Sequence, residues 1–325
     1  MSKISILCAV YNAEPFLPQC LASLTGQTLR DIQIICIDDA STDRSPEILR
    51  RYAAADPRIV VLHNTHNEGQ ASARNKGIPM ADGAFITMVD ADDWLAPDAL
   101  EQAWNVLEQH PRTDAVLFDL VKVWPDREEH YPSLPEPVLN GKEAMRLSLD
   151  WQIHGLYLVR SDIQRRWPYD DTARLYSDDN TTRLHYLASR EVRACEGKYY
   201  YRQHAQSATQ RISPLRFESL RAQQHMHQML VEEHVDDSIV DDYEKYRWLQ
   251  LIDCCYYLYL NRSHFTAKER AEARCQIATA RNQIAKDALP ASLTRKFGYR
   301  PCRSFRTFTA QEWLYFTLRK LTGRL

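Results

Sequence analysis

The chain has 325 residues, 44% of them hydrophobic and 26% charged, which is enough to bury one large core or two smaller ones. A net charge of −2 gives no overall attraction to nucleic acid or to a membrane, although residues 293–325 carry eight Lys/Arg against one acid, Glu312. Lys3 leads a short apolar run that soon meets Asn12 and Glu14, unlike a signal peptide, and no apolar run approaches the roughly 18 residues of a membrane-spanning helix.

The first hundred residues alternate. Ile4–Val10 reads as a strand, Glu14–Gln27 as a helix with Phe16, Cys20, Leu21 and Leu24 at helical spacing, and Ile32–Ile37 as a second strand. "STDRSPEILRRYAA" opens with capping residues and Pro46, as a helix start should. Ile59–Leu62 is a third strand, Gln70–Met80 a third helix and Ala84–Val89 a fourth strand, after which Pro97 opens a helix. This alternation predicts an α/β fold with a mostly parallel sheet covered by helices on both faces. Further on, "AVLFDLVKVW" and "GLYLVR" read as strands and "DREEHYPSLPEP" as a Pro-rich loop. Residues 213–325 read as helices, with long stretches at Pro214–Glu233 and Asp241–Leu260. The eight Cys show no CxxC pair or metal spacing, and Cys8 and Cys36 sit inside strand runs as small hydrophobes, so reduced thiols and a cytoplasmic protein are expected.

Ligands of such sheets bind beyond the carboxyl ends of the strands, and polar residues collect there: Tyr11-Asn12, Asp38-Asp39 and Asp90, Asp92 and Asp93 of "VDADDW". Three carboxylates this close repel one another unless a cation sits among them. Asp90 and Asp92, two apart on an extended backbone, would point the same way, and hard oxygen ligands suit Mg²⁺ or Mn²⁺ with substrate phosphates completing the shell. The structural alternative is an acidic turn capping the next helix. GxGxxG and GxxxxGK[ST] are both absent, which argues against a dinucleotide dehydrogenase or a P-loop ATPase.

"ISILCAVYNAEPFLPQCLASLTGQTLRDIQIICIDDASTDRSPEIL" and "NEGQASARNKGIPMADGAFITMVDADDWLAPDAL" resemble the nucleotide-binding half of family 2 glycosyltransferases, which have the GT-A fold. "YSDDNTTRLHYLASREVRACEGKYYYRQHAQSAT" resembles the acceptor-side motif that follows. The resemblance covers about residues 3–210 and implies a GT-A domain over 1–212, with a nucleotide-binding half (1–100) and an acceptor-side half (101–212); the helical region over 213–325 is read from its pattern alone. It implies that Val10, Tyr11 and Asn12 line a uracil site with Glu14 nearby. Asp39 would accept hydrogen bonds from uracil or ribose while Asp38 supports the loop. Arg74 would approach the pyrophosphate or hold the acids, Asp90 would face the ribose beside Ala91, and Asp92 would bind the metal. Asp93 would brace the loop or a metal-bound water. In "SDDN", where members commonly carry Glu-Asp, Asp179 would be the base that takes the acceptor proton, with Asp178 beside it; a helix N-cap is the alternative. Arg202 would meet the diphosphate, and His204 would be a further metal ligand or donor, with Ser207 a weaker candidate.

In the tail, Leu314, Leu318, Leu321 and Leu325 form one helical stripe with Trp313, Arg319, Lys320 and Arg324 nearby. Residues 308–325 therefore suit either docking on an anionic membrane or packing on the domain. The expectation is an inverting, metal-dependent transferase moving sugar from a UDP-sugar to a glycan or lipid-linked acceptor in bacterial surface polysaccharide or lipopolysaccharide synthesis. It would act in the cytoplasm, at the inner face of the inner membrane, with no nucleic-acid partner. A non-catalytic, nucleotide-binding assembly partner is the alternative.

Overall fold

In the computed structural model, residues 2–132, 134–173, 178–204 and 212–322 are described. The chain divides into two compact units, one of Met1–Asp171 with Asp178–Gln210, the other of Thr172–Ser177 with Arg211–Leu325.

The first unit is built on a nine-stranded sheet of order β3-β2-β1-β4-β8-β6-β9-β5, with β7 paired to β6. β1 (Ile4–Val10), β2 (Ile32–Asp38), β3 (Ile59–His63) and β4 (Phe85–Met88) are parallel, β1 lying between β2 and β4. Continuous apolar sequence suits a strand buried on both faces. Ile4, Ile6, Cys8 and Val10 of β1 pack with α1 (Leu17–Thr25), while Leu7 joins Ile35 and Ile37 against Ala71 and Ala73 of α3 (Gln70–Gly77). α2 (Ser45–Ala55) starts with Pro46, whose missing N–H costs nothing in a first turn, and buries Ile48 and Leu49. The expected strands and helices are present; α1 begins later than periodicity suggests, and α3 gives way to a 3₁₀ turn at Ile78–Met80.

The acceptor-side half is mixed. β8 (Tyr157–Arg160) runs antiparallel to both β4 and β6 (Thr113–Val123), and β9 (Glu191–Arg202) runs parallel to β6. β5 (Trp94–Leu95) pairs antiparallel with the end of β9. The stretch expected to be a loop contains β7 (Glu128–His130), an exposed edge strand on β6. Pairing through the main chain needs no apolar side chains, and charged residues are common on sheet edges. Among the described residues, helices α4 (Ala99–Gln109), α5 (Gly141–Leu149), α6 (Ser161–Arg166) and α7 (Asp178–Ala188) complete this half. Asn140 and Glu143 form a capping box at the start of α5.

The second unit is helical: α8 (Ser219–Glu232), α9 (Asp237–Asn261), α10 (Ala267–Gln283), α11 (Ala291–Thr294) and α12 (Phe305–Leu321). Its core gathers Trp248, Leu251, Ile277, Phe308 and Phe316. Thus α12 packs through Phe308, Glu312 and Phe316, while Trp313, Leu314, Leu318 and Leu321 stay exposed. Among the described residues no helix is long and apolar enough to cross a membrane.

Candidate active site

β1, β2 and β4 end side by side, so the polar residues that follow them converge. Val10 pairs with Asp38, Asp39 N–H donates to Val10 O at 2.8 Å, and Val89 N–H donates to Leu7 O at 3.0 Å. Tyr11 is half exposed. Asn12 (φ 49°) and Ala40 (φ 59°) turn the chain in left-handed conformations at these two strand ends. Asn12 Oδ1 accepts from Thr42 N–H at 2.8 Å, and Glu14 pairs with Arg44 at 2.5 Å, tying the loop after β1 to that after β2. Asp38 is buried and accepts from Ser41 N–H. Asp39 is also buried and accepts from Asn64 Nδ2 (2.7 Å), Gly69 N–H (2.8 Å) and Glu68 N–H (3.0 Å), so its carboxylate braces the 64–69 segment.

The acidic motif is not extended. Asp93 N–H donates to Asp90 O at 3.0 Å, closing a turn that brings one oxygen of each of Asp90, Asp92 and Asp93 within 4.8 Å of the others. The expectation that an extended backbone points Asp90 and Asp92 the same way is therefore corrected: a turn, with Ala91 buried inside it, does the gathering. Each acid then has its own positive or protic neighbour. Arg74, wholly buried on α3, donates to Asp90 and lies over the Tyr169 ring at 5.3 Å. Asp93 is 1% exposed and accepts from Arg202 N–H (2.8 Å) and Tyr199 Oη (2.9 Å). Burial, and then the charges of Asp90 and Asp92, pushes its carboxyl well above the usual range. Tyr199 Oη also accepts from Asp90 N–H at 3.1 Å, so one phenol spans the turn.

Asp92 meets the end of β9. His204 Nε2 lies 2.9 Å from Asp92 Oδ2, and Arg202 Nε donates to Asp92 O at 2.7 Å. Phe16 lies tilted against the imidazole with ring centres 4.7 Å apart, and Gln19 accepts from Arg202 at 2.6 Å. The residues expected to work together, Asp92, Arg202 and His204, are thus together, although 112 positions separate Asp92 from His204. The pair fits a divalent cation. Adjacent ligand atoms of an octahedral ion with bonds of about 2.1 Å are about 3 Å apart, and a carboxylate with an imidazole suits Mn²⁺ better than Mg²⁺.

A contact path leads from this turn to α7. Beyond the Tyr169 ring under Arg74, Asp170 accepts from Asn180 Nδ2 at 2.7 Å, next to Asp179. Asp179 Oδ2 is 4.0 Å from the buried Arg183 guanidinium, one turn along. The side chain of Asp178 lies outside the described residues, as do Ser207 and Leu325. Sequence reasoning missed Tyr199, Phe16, Gln19 and Arg183. The only sign of Tyr199 was the run "KYYYR", which does not say which of three tyrosines faces the acids.

A parallel sheet whose strand ends hold a D-x-D turn, continued by a mixed half whose last strand returns a His to that turn, is the GT-A architecture. Residues 5–161, just under half of the chain, match Glycosyl transferase family 2. Glycosyltransferase EpsJ of Bacillus subtilis is 33% identical over 64% of this chain and 63% of its own length, so the chain spans under two thirds of that relative. Poly(ribitol-phosphate) beta-glucosyltransferase of Bacillus spizizenii is 41% identical over 36% of this chain and 19% of its own. Among solved structures, S. aureus TarS 1-349 in complex with UDP-GlcNAc superposes with a TM-score of 0.79 at 16% identity, covering 99% of this chain and 92% of that one. The mannosyltransferase PcManGT of Pyrobaculum calidifontis, in complex with GDP-Man and Mn²⁺, matches at a TM-score of 0.51 and 17% identity, over 99% of this chain and 88% of its own.

Proposed function

We propose that the protein is an inverting, metal-dependent glycosyltransferase that moves a sugar from a UDP-sugar to a hydroxyl of a glycan or lipid-linked acceptor in bacterial surface polysaccharide synthesis. The observation that carries this reading is the approach of His204 Nε2 to Asp92 Oδ2 beside Arg202. Asp92 and His204 would hold Mn²⁺ or Mg²⁺, which when bound supplies positive charge to the leaving diphosphate. Arg202 adds a fixed cation on the same side. Tyr11, half exposed at the end of β1, lies against the uracil beside Val10 and Asn12. Asp39 and Glu14, whose carboxylates brace loops, shape that pocket, and Asp90, held by Arg74, faces the ribose.

Asp179 takes the proton of the acceptor hydroxyl as that oxygen attacks the anomeric carbon from the face opposite the diphosphate. The bond to the β-phosphate oxygen breaks, UDP leaves with the electron pair, and configuration inverts. Asp178 stands beside the base at the start of α7. The UDP-GlcNAc held by TarS supports a UDP-sugar donor, and the Mn²⁺ of PcManGT supports the metal. We also propose that the protein works as a peripheral protein on an anionic membrane. Exposed Trp313, Leu314, Leu318 and Leu321 of α12, with Arg319 and Lys320, support this.

Calorimetric titration of UDP into the full chain tests the site. Binding is expected with Mn²⁺ and lost, by tenfold or more in Kd, without metal or in Asp92→Asn. Binding that ignores both metal and Asp92 would overturn the metal reading.

A further inference from the structure

Between α5 and β8 the chain does something costly. Trp151 has a left-handed backbone (φ 59°), a conformation unfavourable for an L-residue with a Cβ, and its indole is 47% exposed. The loop is nevertheless tied down. Tyr131 Oη donates to Trp151 O, and Gln152 N–H donates to Leu147 O at 2.9 Å. One face of the indole has a cation over it: the Arg183 guanidinium lies 6.0 Å from the ring centre, and Arg183 is the residue that approaches Asp179 Oδ2. Indole, guanidinium and the carboxylate proposed as base therefore stand in sequence. Strain held at an exposed aromatic by defined hydrogen bonds marks a residue kept for contact with something else.

A cavity of about 480 Å³ adjoins this loop, within the range of small-molecule sites. Tyr131, Ile153 and His154 contribute to its wall, and Asp119, Glu196 and Lys198 supply charged groups. Two carboxylates against one lysine, with the His130 imidazole 3.7 Å from Asp119, disfavour a phosphate, and charges so placed disfavour a lipid chain. A pyranose has what both parts need: an apolar C–H face to lie on an indole, and an edge of hydroxyls to exchange hydrogen bonds with carboxylates, imidazole and ammonium.

We infer that Trp151 and the cavity beside it form a saccharide subsite on the acceptor-side half, with the sugar ring stacked on the indole face turned away from Arg183. The subsite goes beyond the proposed donor chemistry and is tested apart from it. The experiment is saturation-transfer NMR on the full chain with methyl pyranosides of glucose, galactose, mannose and N-acetylglucosamine. At least one is expected to take up saturation on its ring C–H protons. That signal should vanish in Trp151→Ala and persist in Trp151→Phe, while calorimetric UDP binding with Mn²⁺ stays within twofold of wild type in both. No signal from any pyranoside, or one unchanged in Trp151→Ala, overturns the subsite. Failure of UDP to bind wild type instead strikes the donor reading, and the pyranoside signal still decides the subsite.

Discussion

Tyr199 and Asp93 show how three carboxylates tolerate one another. Asp93 is buried with its proton affinity raised, and the phenol of Tyr199 and the amide of Arg202 satisfy its oxygens. Asp90 is neutralised by Arg74, which leaves Asp92 to face His204. The D-x-D spacing announced the acids, but not this division of labour. At Asp179 the prediction is kinetic: Asp179→Asn should keep Mn²⁺-dependent UDP binding and lower transfer at least a thousandfold, since an amide cannot take the acceptor proton. Radiolabelled sugar transfer, once a donor is found, measures this. Near wild-type turnover would remove Asp179 from the mechanism and favour a neighbouring acid as base.

Among the elements, β7 and α12 separate what patterning shows from what it hides. A charged triplet makes an edge strand only because β6 offers it a partner. On α12 the leucine stripe legible in the sequence is the exposed one, and the buried face runs through Phe308, Glu312 and Phe316. Truncation there would strip the core, so docking is better tested by surface substitution. A Leu318→Ser/Leu321→Ser/Arg319→Glu variant should lose about tenfold or more in partition onto phosphatidylglycerol vesicles in flotation assays, with its melting temperature nearly unchanged. Wild-type binding should weaken as salt rises. Equal flotation of variant and wild type would leave α12 a packing helix only.

For the whole molecule, stability against acid follows from two buried imidazoles in the first unit. His154 accepts from Leu156 N–H and lies against Phe118 O, and His185 sits between Tyr157 Oη and Trp167 O. Burial lowers both from 6.5 to about 4. The unfolded chain therefore binds these protons at a higher pH than the folded chain. Their contribution to stability is complete above pH 6.5 and is lost as pH falls toward 4, on the order of 3 kcal/mol for each imidazole. Urea midpoints at pH 7 and pH 5 should differ clearly in wild type, and the difference should shrink in His185→Gln or His154→Gln. A midpoint that does not fall on acidification would refute the assignment.

The sequence by itself determined the four parallel strands, the polar residues at their ends, and the helical character of the last third. Each of these is written in local periodicity, because apolar spacing reports burial along one element. Only the tertiary structure decided which groups meet across the chain. Tyr199 lies 106 positions from Asp93, Arg202 lies 110 from Asp92, and Arg183 lies under Trp151 because α5 packs on α7. Such pairings depend on strand order and helix docking, and no spacing within one segment encodes them. The acids could be found by reading along the chain, whereas their partners became known only when β9 returned to the turn.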